Sequence, residues 1–178
     1  NSAKWIIPYG LGKFFRSCGV NNYIELQWWE KYQYNEDVNI VLTPAMHWSA
    51  RFIGDARTSL WGSYSIIGKK KSVWFGGDTG YCDTFKEIGD KFGPFDLALI
   101  PIGAYEPRNL MRAQHVNPDE AVKMHLDLKA RKSIGMHWGT FVLTSEPVLQ
   151  PRDDLETAKA DNGVDTDAFV TLFHGETK

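Results

Sequence analysis

The sequence predicts a layered α/β protein with a mixed sheet, and three observations carry that prediction. Strand-like and helix-like segments alternate along most of the chain. Leu97-Ala98-Leu99-Ile100 is a continuous apolar run, and Ser133-Ile134-Gly135-Met136 is a second short strand of the buried kind. Leu60–Ile67 and Ser72–Phe75 face each other across Gly68-Lys69-Lys70-Lys71 as an antiparallel pair. With 178 residues, 43% of them hydrophobic, and 16 glycines, the chain has the size and apolar content of one domain with its own core.

The elements follow in order. Trp5-Ile6-Ile7-Pro8 reads as a strand, and Leu11–Ser17 as a short helix closed by Cys18-Gly19. Tyr23–Leu26 is a short strand. Val38–Thr43 is apolar and β-branched, and Pro44 stops it. Thr84–Phe92 places Phe85, Ile88 and Phe92 on one helical side. Asn117-Pro118-Asp119-Glu120 starts a helix that runs to about Leu128: Asn caps, Pro suits the first turn, and two acids suit the positive end of the helix dipole. Leu155–Ala160 is a final helix ending near Asn162-Gly163, and Phe169–Phe173 a last strand. The polar stretch Glu146–Asp154, with two prolines, reads as a loop. No repeat, low-complexity segment or linker divides the chain.

Composition excludes some function classes. A net charge of −2 gives no electrostatic reason to expect nucleic acid. Lys69-Lys70-Lys71 reads as a solvated hairpin tip, although a basic tip also suits anionic lipid. Cys18 and Cys82 have no metal-ligand spacing and fit a reduced intracellular chain, while leaving one disulfide open. No apolar stretch approaches the roughly 20 residues of a membrane-spanning helix, and no signal peptide is visible. The first residue is Asn1, so the chain reads as a fragment or a processed product.

Three segments point to chemistry. Gly76-Gly77-Asp78-Thr79-Gly80 follows the apolar run Ser72–Phe75. His47 lies just beyond the strand stopped by Pro44, and His137 follows the Ser133–Met136 strand. Glycines let the backbone turn sharply beside Asp78, whose carboxylate can bridge two cations, one oxygen to each. Neutral imidazoles at strand ends can bind a metal. Each of these residues has a plainer reading: Asp78 capping its own turn, His47 held in its loop, His137 satisfied in the core. Three such side chains at three strand ends favour a metal site. Gln114 and His115 stand in a polar loop before the capped helix, where His115 can touch substrate or act as an acid. Arg51, four residues after His47, can pair with a phosphate or form a surface salt bridge. His125 reads as an ordinary surface or packed residue, His174 as structural, and Asp96 as a turn or cap. The role of Tyr105-Glu106 stays open. Of the seven tryptophans, most should be core or pocket wall, and some can form a rim facing lipid.

These segments resemble the metallo-β-lactamase-fold hydrolases, and within them the N-acylphosphatidylethanolamine-hydrolysing phospholipases D. The resemblance rests on Thr43–Ser49, Gly77-Asp78-Thr79-Gly80-Tyr81-Cys82, Phe92–Leu97, Gln114-His115-Val116 and His137-Trp138-Gly139-Thr140-Phe141. The most specific stretch is Pro101-Ile102-Gly103-Ala104-Tyr105-Glu106-Pro107-Arg108. It implies the C-terminal half of an αββα sandwich with a mixed sheet, so that residues 1–178 form one partial domain. It also implies two zinc ions per intact domain. His47 would ligate one, Asp78 would bridge, and His137 would ligate the other. Catalysis falls to Asp78 and His115, and substrate contacts to Gln114 and Arg51. The implied reaction is hydrolysis of an N-acylphosphatidylethanolamine to an N-acylethanolamine and phosphatidic acid. The implied setting is intracellular and peripheral to a membrane, with a possible homodimer. A lactone or soluble phosphodiester hydrolase, or a non-catalytic half-domain, are the alternatives. The family's His-x-His-x-Asp-His run is not in this sequence. A chain without it is expected to expose apolar sheet surface and to lack activity alone.

Overall fold

The computed structural model describes residues 3–173 and 175–177. His174 lies outside the described residues. Seven strands form one sheet in the order in which they occur along the chain. They are β3 (Lys31–Gln33), β4 (Val38–Thr43), β5 (Ser63–Gly68), β6 (Ser72–Phe75), β7 (Leu97–Pro101), β8 (Ser133–Met136) and β9 (Phe169–Thr171). The first three pairings are antiparallel and the last three parallel. A parallel pairing needs a crossover long enough to hold a helix. These crossovers carry α2 (Thr84–Phe92), α3 (Arg108–Met111) with α4 (Pro118–Asp127), and α5 (Gln150–Asp161). Before the sheet, β1 (Trp5–Pro8) and β2 (Tyr23–Leu26) pair in parallel around α1 (Gly12–Ser17). The Tyr64 hydroxyl ties that unit to β5 by donating to the Ile6 carbonyl at 2.9 Å.

Strand alternation separates two faces. Trp74, Ala98, Ile100 and Phe169 point to one face and pack with Phe85, Ile88, Val122, Met124, Leu128 and Leu155 from the helices. All of these side chains are fully buried. The opposite face carries a cross-strand apolar row. Tyr64 pairs with Phe75, Phe75 with Leu99, Leu99 with Ile134, and Ile134 with Val170. Phe75 stays 42% exposed, so this row is only partly covered.

Several elements differ from the sequence reading. The stretch expected to be a loop to Asp154 turns helical at Gln150, because Pro151 falls in the first turn, where its missing N–H costs nothing. β5 starts three residues later than expected. Leu60 N–H donates to the Tyr9 carbonyl and Trp61 Nε1 to the Ala45 carbonyl, so these residues bond outside the ladder. The sequence reading does not include β3 and α3, which are three and four residues long. The α4 start matches in detail. The Asn117 side chain accepts from Glu120 N–H at 3.0 Å, and the Glu120 carboxylate accepts from Asn117 N–H, which closes a capping box. His125 is packed against β8 and β9, and both cysteines are free thiols.

Candidate metal centre

Asp78 follows β6 through Gly76-Gly77, and Gly77 has a φ of +63°, a left-handed conformation that favours glycine. The turn delivers Thr79, which is fully buried and joins three chain segments. The Thr79 hydroxyl accepts from Met46 N–H at 2.8 Å. Its carbonyl accepts from Val116 N–H at 2.8 Å, and Gly80 N–H donates to the Met46 carbonyl at 2.8 Å. His47, Asp78 and His115 are each one residue from one of these anchors, so the backbone bonds bring the three side chains together. His137 comes from the end of β8, with its own φ at +61°.

The side chains meet there. Donor atoms of His47, Asp78 and His115 all lie within 4.8 Å of one another. His137 Nε2 is 3.4 Å from Asp78 Oδ1. The rings of His47 and His115 are 5.4 Å apart, and those of His115 and His137 5.3 Å. Asp78 therefore stands among three imidazoles. Its hydrogen bond to His137, opposed by burial and aided by the histidine charges, holds its carboxyl below the usual range. The same bond raises His137 against the effect of burial. Burial dominates at His115 and pushes it down to about 4, against the pull of Asp78.

These groups suit a metal ion. Three imidazoles and one carboxylate form a nitrogen–oxygen donor set used for zinc and for other first-row metals. His115, neutral at pH 7, has a free lone pair. The Nδ1 atoms of His115 and His137 are buried without a hydrogen-bond partner among the described residues. His47 is already oriented. Its Nδ1 lies 2.9 Å from the Trp48 carbonyl, which only accepts, so Nδ1 carries the proton and Nε2 is left free to ligate.

Gln114 stands beside this group, with its Oε1 accepting from Trp48 Nε1 at 2.5 Å. Arg51 is not brought to it. The guanidinium lies 5.1 Å from the centre of the Phe14 ring, along a cleft of about 710 Å³ between α1 and the 49–59 loop. None of the four converging side chains lines that cleft. The sequence reading set His115 beside the metal residues as a catalytic group. The structure places it inside the cluster with His47 and Asp78. No local pattern marks that place, which rests on the bond from Val116 N–H to the Thr79 carbonyl.

A family model described as "Beta-lactamase superfamily domain" matches residues 7–138. The chain is 44% identical over 184 residues to N-acyl-phosphatidylethanolamine-hydrolyzing phospholipase D 1 of Caenorhabditis elegans, covering 97% of this chain and 52% of that protein. It is 43% identical to the mitochondrial N-acyl-phosphatidylethanolamine-hydrolyzing phospholipase D of Saccharomyces cerevisiae, covering 88% of this chain and 35% of that protein. The chain thus spans about half, or less, of the length of these relatives. Among solved structures, Igni18, a metallo hydrolase from Ignicoccus hospitalis, superposes with a TM-score of 0.69 at 20% identity. That match covers 96% of this chain and 65% of Igni18. An isothiocyanate hydrolase from Delia radicum gut bacteria superposes with a TM-score of 0.70 at 17% identity, covering 93% and 62%. Matches at this identity speak for the fold alone.

Proposed function

The chain belongs to the β-lactamase superfamily, with a metallo-β-lactamase fold of the N-acylphosphatidylethanolamine phospholipase D kind, and from that premise we propose that it is the metal-bearing part of a phosphodiesterase. The proposed substrate is an N-acylphosphatidylethanolamine, and the products are an N-acylethanolamine and phosphatidic acid. The proposed metal is zinc, two ions per intact domain. The observation that carries the reading is the convergence of His47, Asp78, His115 and His137 at one sheet edge.

Bound metal would supply a nucleophilic water at neutral pH and Lewis acidity toward the phosphoryl oxygens. This chain's residues supply the rest. His47, Asp78 and His115 would hold one metal, His137 would ligate a second, and Asp78 would be the carboxylate shared between them. Burial pushes His115 down to about 4, which favours the neutral ring with a lone pair to offer a metal. We assign it as a metal ligand beside His47 and Asp78, in addition to the catalytic role that the sequence reading gave it. In the net reaction, water oxygen bonds to phosphorus, the bond from phosphorus to the ethanolamine oxygen breaks, and a proton passes to that oxygen. Gln114 sits beside the centre, where it can face the phosphate. Arg51, further off, can meet a more distant part of a lipid.

No helix among the described residues is long and apolar enough to cross a membrane. A peripheral location inside the cell and a homodimer belong to the same proposal. The partial-domain reading belongs to it too, and the half-covered row from Tyr64 to Val170 supports it. The test is Asp78→Asn in the native full-length protein. Turnover of N-acylphosphatidylethanolamine should fall by at least about 10³-fold, as for loss of a group essential to the chemistry. Chelator should silence the wild type, and zinc should restore it. An Asp78→Asn protein that keeps wild-type turnover would refute the assignment.

A further inference from the structure

The 139–149 segment is exposed over much of its length, with Phe141 at 73%, Val142 at 79% and Leu143 at 61%. One side chain in it turns inward. Glu146 Oε1 accepts from Ala104 N–H at 2.7 Å and Tyr105 N–H at 3.3 Å. Its Oε2 accepts from Glu106 N–H at 3.1 Å and from the Thr144 hydroxyl at 2.5 Å. Ala104 has a φ of +64°, and a left-handed residue of this kind turns successive N–H groups toward one anion. Burial resists ionisation of Glu146, but the hydrogen bonds from Thr144 and from the backbone prevail and hold its carboxyl below the usual range.

The loop held by this carboxylate runs on to two histidines of the centre. On one side, Ile102 N–H donates to the Met136 carbonyl at 3.0 Å. Gly103 packs so close to His137 that an added Cβ would sit 2.2 Å from the His137 carbonyl oxygen. On the other side, the Arg108 guanidinium donates to the His115 carbonyl at 2.8 Å and to Glu120 at 2.7 Å. Ala104 and Tyr105 are buried, at 6% and 4% exposure. Their N–H groups would lose their partner if the carboxylate were removed, and the loop would have to shift to find another.

We propose that Glu146 is a positioning residue for the metal centre: its carboxylate fixes the 102–108 loop, and through it the backbone of His137 and His115. The role rests on the hydrolytic reading above. Glutamate suits it because one carboxylate can accept all four hydrogen bonds. Glutamine keeps one acceptor oxygen and turns an NH₂ toward donors.

The test uses the native full-length protein with Glu146→Ala, Glu146→Gln and Thr144→Val. Four readouts apply: amide hydrogen exchange at 104–106, zinc affinity by chelator competition, melting temperature, and the kcat and KM of lipid hydrolysis. Glu146→Ala should speed exchange and weaken zinc binding. It should lower kcat about 10- to 100-fold with KM nearly unchanged, the scale of a misplacement near 1 Å. Glu146→Gln should fall between Ala and wild type, and Thr144→Val should move the same readouts by less. Ile88→Ala, a buried residue of α2, should lose comparable melting temperature and keep its kcat. If Glu146→Ala does not fold, the ordering of the two milder variants decides.

Unchanged exchange in every variant would overturn the proposal. So would faster exchange with wild-type zinc affinity and kcat, which would reduce Glu146 to a local staple. If the wild type shows no zinc-dependent hydrolysis, the functional reading fails by itself, and exchange with zinc affinity still judges Glu146.

Discussion

Gly103→Ala tests the coupling between the β7 loop and His137 most directly. Gly103 does not adopt a left-handed φ, so alanine fits its backbone conformation and only space opposes it. The new Cβ would lie 2.2 Å from the His137 carbonyl oxygen and 3.2 Å from its carbon, whereas real Cβ contacts stay beyond 3.0 Å. The nearest atoms are backbone, so no side-chain rotation relieves the clash, and a close-packed interior leaves little slack. The loop and His137 must separate by roughly 1 Å, at the 1–3 kcal/mol typical of overpacking. For a chain of this size that is about 2–4 °C of melting temperature per kcal/mol. Gly89→Ala supplies the contrast, because its Cβ would meet the Asp127 carbonyl at 2.0 Å, between α2 and α4. Both variants should melt early in the native full-length protein, but only Gly103→Ala should also weaken zinc binding in a chelator competition. Equal zinc affinity in wild type and Gly103→Ala would refute the idea that this contact sets His137.

Two further perturbations read the scaffold. His125 is buried, bonded through Nδ1 to Ser133 Oγ at 2.8 Å and stacked on Phe169. Burial holds its pKa below the usual value, so the unfolded chain binds the proton more readily. Its contribution to stability is whole above about pH 6.5 and is lost as pH falls toward the folded value, at up to about 1.4 kcal/mol per pH unit. His125→Gln should flatten that acid limb in denaturant titrations, and an identical slope would count against the assignment. Asn117→Ala should cost about 0.5–2 kcal/mol by removing the α4 cap, read as a shift in melting temperature. No shift would mean that the Arg108–Glu120 contact alone holds the helix start.

Much of the fold was legible because long apolar runs and strong punctuation mark it. β4, β6, β7, β8, α2 and α4 lie within a residue or two of expectation. Their patterns combine burial with clear stops, as at Pro44 or Asn117. The short elements β3 and α3 gave no such signal, because pairing with β4 and the Pro107 carbonyl bonds define them. The α5 start was obscured because Pro151 and a polar first turn look like loop composition. At the site, Asp78, His47 and His137 were legible from their positions at strand ends. His115 in the cluster was not. Its place depends on Val116 bonding to Thr79 across 37 residues of chain, a tertiary contact with no local pattern. Glu146 was hidden for the same reason, since nothing near it in sequence shows that three N–H groups 40 residues away converge on it.

The donor set constrains the number of metal ions. Zinc in protein sites is commonly four-coordinate, and a catalytic ion takes three protein ligands plus water. His47, Asp78 and His115 lie close enough together to satisfy one such ion, and His137 adjoins them through Asp78. Two ions need more protein ligands than these four side chains, even when Asp78 is shared. The two-zinc reading therefore requires donors beyond this cluster. The apolar row through Phe75, Leu99 and Ile134 points to where further chain would pack, because burying such a row is worth about 25 cal/mol per Å². In the partial-domain reading proposed above, chain packed on this face would bury the row and would be the source of the further donors that a second ion needs.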